Sequence, residues 1–481
     1  MNTKMVRYIL CRMLGVEAAL LLVPVLVAVI YQEKCGIVFL IPIGILCLLF
    51  WVAGRKRPEY GQIYGKEGMV IVALAWILWS LFGAMPFTLS GYIPSYVDAF
   101  FETVSGFTTT GSSIIPDVEV LPHCLLFWRS FTHWIGGMGV LVFVLVVTSL
   151  DRKNSMYLMR AEVPGPEKDK LVPKAMSTAR ILYGMYLILT VIEMVFLVIG
   201  GMNLFDSMIF SFGSAGTGGF SNYADSVAHF NSAYIDGVIT VFCALFGVNF
   251  ALFYFMILGD FKSILKNEEL RTYILLIAGA TAAIMLNIHS LYPTIGKSFR
   301  YAIFQVVTVI TTTGYSTADF AQWPMFSKAV IMMLTVVGAC ASSTGGGIKV
   351  SRLLVGMKCV KREIVQLAHP KSVGIIRIGG KKVSSDVLRT IYIYFIAYVG
   401  ILIGSVLLVS LDNFDFETTF SAVLTTLGNV GPGMAKVGPM GNFAEFSPLS
   451  KLILCFDMLA GRLEIFPFLV LFTAPAWRRK F

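Results

Sequence analysis

Apolar residues in this chain run in blocks as long as a bilayer core is thick, and that property removes most folds from consideration. Blocks cover residues 18–30, 37–50, 69–82, 140–150 and 181–200. With its flanks, each reaches the ~20 residues needed to cross a hydrocarbon core of about 30 Å. Backbone in lipid must satisfy its own hydrogen bonds, which leaves helices or closed barrels, and these blocks are too long for barrel strands. Composition agrees. Of 481 residues, 57% are hydrophobic and 14% charged, where a soluble domain carries roughly 25% charged residues; the mean hydropathy is +0.78. The expected class is an all-α polytopic membrane protein. The first block has no small-residue cleavage site and is followed at once by a second span, so it reads as a span and not a removable signal peptide.

The formal charge of +10 reads as topology and not as a nucleic-acid footprint. Basic residues gather at Arg55, Lys56 and Arg57, in residues 151–180 (seven Lys or Arg) and in residues 349–390 (ten, against only Glu363 and Asp386). The stretches 86–127, 200–236, 288–328 and 411–451 hold twelve acids against five bases. Positive residues favour the cytoplasmic side. The basic loops are therefore expected inside, together with Lys4, Arg7, Arg478, Arg479 and Lys480, which requires an even number of crossings. Eight cysteines are scattered, mostly in apolar segments, with no CxxC or Cys/His spacing. That predicts neither a disulfide frame nor a zinc site, and cysteine as a small hydrophobe is the plainer reading.

Four stretches share one pattern: residues 105–113 (SGFTTTGSS), 212–221 (FGSAGTGGFS), 309–317 (VITTTGYST) and 425–433 (TTLGNVGPG). Each follows an apolar segment too short to span, with a full span expected before it and another after. Aligning Gly111, Gly218, Gly314 and Gly431 gives intervals of 107, 96 and 117 residues. Four units supply eight spans and the two blocks before Arg55 add two, an even total that agrees with the charge argument. The expected division is 1–57 (two extra N-terminal helices), 58–155, 156–262, 263–365 and 366–481 (pore units one to four).

A half-helix stopping at mid-membrane leaves its last carbonyls unpaired and its negative dipole end inward. Irregular backbone at that depth survives only around a cavity. Gly and Thr loops can turn carbonyl oxygens toward an axis, and four together form cages that replace an ion's hydration shell. Asp98, Glu102, Asp206, Asp415 and Glu417, near the starts of the half-helices, would concentrate cations there. One TTTG run alone would pass as a helix-packing motif. Four in the same context do not. The loops therefore predict a monovalent-cation pore.

The chain at this point resembles the TrkH/KtrB/HKT superfamily of K⁺ transporters, whose members fold as four hairpin–pore-loop–helix units in one polypeptide. The resemblance covers essentially the whole chain, and its length and two extra N-terminal spans look more like TrkH than KtrB. It implies a K⁺ filter at Thr108, Thr109, Thr110 and Gly111; Ala215, Gly216, Thr217 and Gly218; Thr311, Thr312, Thr313 and Gly314; and Gly428, Asn429, Val430 and Gly431. Within the family, glycine at the selectivity position of all four loops goes with K⁺, while serine in the first loop goes with Na⁺ preference. Gly111 therefore implies K⁺ as the transported ion, in a cell (inner) membrane, with no organic cofactor. The resemblance also implies a homodimer working with a TrkA-type cytoplasmic nucleotide-binding subunit, for which the basic stretch 349–390 is a plausible docking surface; anionic lipid explains that charge equally well. A K⁺ symporter coupled to H⁺ or Na⁺ is the alternative, with Glu193 and Asp457 as modest candidates for a titratable group.

Below the filter, the third closing span contains Gly338, Ser343, Thr344, Gly345, Gly346, Gly347 and Lys349. Glycine costs a helix about 1 kcal/mol each relative to alanine, so a flexible loop is expected here. A phosphate-binding loop is not, since Val350 follows Lys349 where that motif needs Ser or Thr and no strand precedes the run. The stretch resembles the family's intramembrane gating loop. In the last span, Arg462 either pairs with Asp457 or Glu464 or stands as a fixed positive barrier under the filter. The matching arginine of the family lies in the permeation path, and a contact between Arg462 and the glycine loop is expected. His133 and Trp134 read as packing, and Asn249 as a cavity-facing or helix-to-helix group. No catalytic constellation is visible.

Overall fold

The computed structural model describes residues 1–56, 58, 64–139, 175–372 and 374–477. The apolar block 140–150, the basic residues of 151–174, and Arg57, Arg478, Arg479 and Lys480 lie outside the described residues. What is described is almost wholly helical, apart from a two-stranded hairpin pairing Arg377–Ile378 with Lys381–Lys382 ahead of the fourth unit.

Among the described residues six helices are long and apolar enough to cross a membrane. Thr3–Ile30 and Lys34–Gly54 form the N-terminal pair; Gly65–Leu89, Arg180–Ile199, Glu268–Ile288 and Ser385–Asp412 open the four units. Each opening helix leads to a short pore helix: Tyr96–Phe107, Leu204–Gly216, Ile295–Ile310 and Phe416–Gly428. Their starts share one chemistry. Ser95, Asn203, Thr294 and Asp415 each accept a hydrogen bond from the amide three residues on, satisfying a donor that a helix N-terminus otherwise leaves orphaned.

The closing helices depart from expectation. Expected as full spans, they are interrupted: His123–Gly137, Ala233–Phe246, Met325–Val337 and Pro448–Arg462 have 15, 14, 13 and 15 residues, the second continuing past a bend and the block 140–150 after the first lying outside the described residues. Each ends within one residue of a glycine. The first stops at Gly137; the second turns by 93° after Gly247 into Phe250–Ile257; the third opens at Gly338 into a loop; the fourth passes Gly461 and turns at Glu464 and Ile465, both with positive φ. The cause is close packing against the pore helices. A Cβ on Gly136 would fall within 3.0 Å of the Phe107 carbonyl oxygen, one on Gly461 the same against Leu427, and one on Gly247 the same against the Thr311 side chain. Glycine lets the closing helices reach the pore-helix ends, and it ends them there.

Candidate functional site

The four loops after the pore helices have one backbone design. Thr109, Thr217, Thr312 and Asn429 occupy the left-handed region with φ of 54°, 56°, 60° and 55°. Thr110, Gly218, Thr313 and Val430 then donate their amides to Ser105, Gly213, Thr308 and Thr425 at 2.8–2.9 Å. A second left-handed residue closes each loop: Gly111, Gly219, Gly314 and Gly431, with φ of 82°, 75°, 80° and 94°. Left-handed backbone at a β-branched residue costs of order 1–3 kcal/mol and persists only where the surroundings impose it. Three of the four such positions here are threonine.

This corrects the register of the second loop. Gly219, not Gly218, matches Gly111, and Gly216–Thr217–Gly218–Gly219 is the equivalent stretch. Ala215 lies in the last turn of its pore helix. The sequence alignment followed the spacing of Thr and Gly, whereas the φ values and amide bonds define equivalence.

The four loops close a ring. A Cβ on Gly111 would meet the Gly218 carbonyl oxygen, one on Gly219 that of Thr313, one on Gly314 that of Val430, and one on Gly431 that of Thr110, all at under 3.0 Å. Each glycine thus seats the preceding carbonyl of the next unit, in the order one, two, three, four, one. Gly111, Gly219, Gly314 and Gly431 line a single cavity of about 120 Å³. Side chains support the ring from behind. Thr108 and Thr110 pair through their hydroxyls at 2.8 Å, as do Thr311 and Thr313 at 2.9 Å. Asn429 Nδ2 donates to Thr110 Oγ1 at 3.0 Å and to the Met458 carbonyl at 2.9 Å. His133 donates its Nδ1–H to Gly106 O at 2.7 Å and packs on Gly218, so it holds the first pore helix against the second loop.

The acids at the pore-helix starts are engaged. Lys451 donates to Asp98 at 2.7 Å, and Lys328 to Glu417 at 3.1 Å. Buried Glu102 accepts from Arg129 Nε at 2.6 Å and from the Ile114 amide at 2.9 Å. Arg129 also donates to the Ser221 carbonyl and lies 3.5 Å above the Phe220 ring, tying the first loop to the second. The Asp206 carboxylate accepts from Asn203 Nδ2 at 2.8 Å and that of Asp415 from the Thr418 hydroxyl at 2.6 Å, each at its own helix start. Three of the five acids expected to form a funnel are thus paired with cations, and Asp206 and Asp415 are bonded to neutral donors. A charged residue inside an apolar helix was the available signal for Arg129.

Beneath the ring, residues 338–349 form an irregular loop, as expected, and hydrogen bonds tie it to the pore units around it. Gly345 and Gly346 lie so close to the Thr311 and Gly428 carbonyl oxygens that a Cβ would fall within 3.0 Å of each. The Gly346 amide donates to Thr312 Oγ1 at 2.6 Å, Cys340 N to Gly247 O at 3.1 Å, and Phe250 N to Ser342 O at 3.1 Å. Lys349, buried, donates its ammonium to the Gly345 carbonyl. Both ends of the loop are held by one carboxylate: Glu269 Oε1 accepts from Ala341 N at 2.7 Å and Ser351 N at 3.1 Å. Sequence reading missed Glu269, because an acid in the first turn of a helix looks like ordinary dipole compensation.

The expected contact of Arg462 with the loop is present. Its guanidinium donates to the Thr344 carbonyl at 2.6 Å and to Gly136 and Gly137 at 2.6 and 2.8 Å. Those acceptors belong to units three and one, which face each other across the ring. A single side chain bonded to both lies across the space below it. Glu464 instead pairs with Arg352, and Asp457 accepts from Ser405 at 2.7 Å. Asn249 caps the helix after the bend through Ala251 N at 2.9 Å, neither of the roles expected for it. Glu193 is buried in the second opening helix.

A family model described as TrkH, cation transport protein, matches residues 43–478. The Trk system potassium uptake protein TrkH of Salmonella typhimurium is 36% identical over 467 residues, 95% of this chain and 96% of that protein. The Trk system potassium uptake protein TrkG of Escherichia coli K12 is 33% identical over 486 residues, covering 99% and 100%. Among solved structures, the crystal structure of the potassium transporter TrkH from Vibrio parahaemolyticus matches with a TM-score of 0.89 at 31% identity. It covers 99% of this chain and 100% of that one.

Proposed function

The chain belongs to the TrkH family of cation transport proteins, multi-pass membrane transporters and not enzymes, and from that premise we propose that it takes up K⁺ through the glycine-lined ring. The closed ring of glycine-on-carbonyl contacts is the observation that carries this reading. Four left-handed glycines leave no side chain in the lumen, and the carbonyls of Thr110, Gly218, Thr313 and Val430 are available to replace hydration waters. Thr108–Gly111, Gly216–Gly219, Thr311–Gly314 and Gly428–Gly431 are the filter in this reading, with K⁺ as cargo. The Trk uptake proteins it resembles are named for the same ion.

The loop 338–349 and Arg462 form the gate. Gly345, Gly346 and Gly347 allow the loop to press on the pore-helix ends, Lys349 and Glu269 hold its shape, and Arg462 bars the path with a fixed positive charge. Opening must release Arg462 from Thr344 or from the first unit. The termini face the cytoplasm, the chain pairs as a homodimer in the inner membrane, and a TrkA-type nucleotide-binding subunit acts from the cytoplasmic side on the basic stretch 349–390. The symport alternative finds no support in its two candidates: Asp457 bonds within the fourth unit, and Glu193 sits inside the second.

Anomalous scattering from crystals grown in Rb⁺ tests the filter. Density on the ring axis beside the carbonyls of Thr110, Gly218, Thr313 and Val430 supports the assignment. Ordered Rb⁺ elsewhere in the chain, with none at the ring, overturns it.

A further inference from the structure

Two of the eight cysteines meet, although nothing in their sequence spacing paired them. Cys35 lies in the first turn of the second N-terminal helix, just after the short connection from the first, and Cys124 in the first turn of the helix that closes unit one. Their side chains are near neighbours, brought together by the bonds of Glu33 to the His123 and Cys124 amides. The contact is held from both sides. Glu33, two residues before Cys35, accepts from the backbone amides of His123 at 2.7 Å and Cys124 at 3.0 Å, and meets the His123 ring at 2.9 Å. Tyr31 stacks on His123 with centroids 4.0 Å apart and planes 6° from parallel, and Phe205 of the second pore helix packs edge-on against the same ring. The start of the second N-terminal helix is therefore docked on the start of the closing helix, which keeps the two cysteines together. Cys35 is half-buried and Cys124 fully buried, so a reagent reaches the pair through Cys35.

We propose that Cys35 and Cys124 are a disulfide-forming pair on the extracytoplasmic face, stapling the N-terminal helix pair to the first pore unit. The sidedness rests on the orientation proposed above, in which the N-terminus is cytoplasmic and the turn after one crossing lies outside, where disulfides persist. The chemistry is exchange with an external disulfide carrier. The Cys35 thiolate attacks one carrier sulfur, the second carrier sulfur leaves and takes a proton, and a mixed disulfide forms. Cys124, deprotonated, then attacks the Cys35 sulfur and expels the remaining carrier thiol. Two protein thiols are oxidised and one carrier disulfide is reduced to a dithiol. The closed covalent loop spans residues 35–124, so it holds the N-terminal helices to the pore independently of lipid packing.

The test uses the full chain in its native membrane. Cells are quenched in acid, free thiols are blocked with N-ethylmaleimide, and digested protein is read by mass spectrometry; a parallel membrane sample is first treated with copper–phenanthroline. The expected result in both samples is a peptide pair linked through Cys35 and Cys124, lighter than the two free peptides by two hydrogen atoms and absent in Cys35→Ser. Both cysteines recovered as maleimide adducts even after copper–phenanthroline overturns the pairing. A link formed by copper–phenanthroline but missing from quenched cells overturns the outward placement while leaving the contact intact, which separates a failure of the orientation from a failure of the site.

Discussion

A single methyl group tests the ring, because each of its four glycines faces a carbonyl oxygen where a Cβ would go. Gly219→Ala is expected to reduce Rb⁺ uptake by membrane vesicles at least as severely as Gly111→Ala, roughly tenfold or more, since both combine a clash with a left-handed φ. Gly237→Ala, with open space around it, is the control and should leave uptake unchanged. Uptake retained in Gly219→Ala would count against the register derived from the backbone. That register was not legible in the sequence, because GTGG offers two glycines and only φ distinguishes them. Asp415 is a second residue-scale case. Bonds from the Thr418 hydroxyl and amide hold its carboxyl below the usual aspartate range. A lowered folded value makes the cap's contribution complete above the unfolded pKa of about 3.9 and lost as pH falls through the folded value. Asp415→Ala should lower stability by about 1 kcal/mol at neutral pH, read as the thermal unfolding midpoint in detergent, and the difference from wild type should shrink only in acid. A difference that grows in acid would contradict the cap.

At the scale of elements, the breaks in the closing helices are what spacing and composition conveyed least. The glycine run of residues 338–349 was plain, yet single glycines end or bend the other three helices at the same depth, and one glycine in an apolar block reads as packing. Close approach to the pore-helix ends, a tertiary effect, decides it. The gate inherits this construction. Arg462 makes three charge-assisted hydrogen bonds to carbonyls, each worth about 1.5–3 kcal/mol. Arg462→Ala should therefore raise Rb⁺ efflux from proteoliposomes without an activating partner, by about tenfold for every 1.4 kcal/mol removed from the closed state. Arg462→Lys should fall between, since one ammonium cannot reach acceptors in opposite units. Glu269→Gln keeps the side-chain shape but weakens its hold on Ala341 and Ser351, and should raise efflux more modestly. Efflux unchanged in both Arg462→Ala and Glu269→Gln, from protein with a normal elution profile, would remove the loop from the gate.

The whole molecule is fourfold in construction and unequal in detail. The membrane class, the repeat and the half-length pore helices were legible because lipid leaves few solutions and because four copies reinforce one weak signal. Charge was read less well. Asp98, Glu102, Asp206, Asp415 and Glu417 looked like a cation funnel, but Lys451, Arg129 and Lys328 pair with the first, second and last of them, leaving Asp206 and Asp415 without an ion pair among the described residues. With three of the five acids paired to cations, uptake at low Rb⁺ should change less than about twofold as ionic strength rises from ~0.05 to ~0.5 M with an impermeant salt; a steep fall would restore the funnel. The central claim is that this ring selects K⁺. It is tested most directly by K⁺ and Na⁺ fluxes in proteoliposomes under an imposed gradient, wild type beside Gly111→Ser. K⁺ should move in preference to Na⁺ through the wild type, and the serine should erode that preference. Absence of K⁺ movement through wild type and Arg462→Ala alike, or a K⁺ preference untouched by Gly111→Ser, would contradict it.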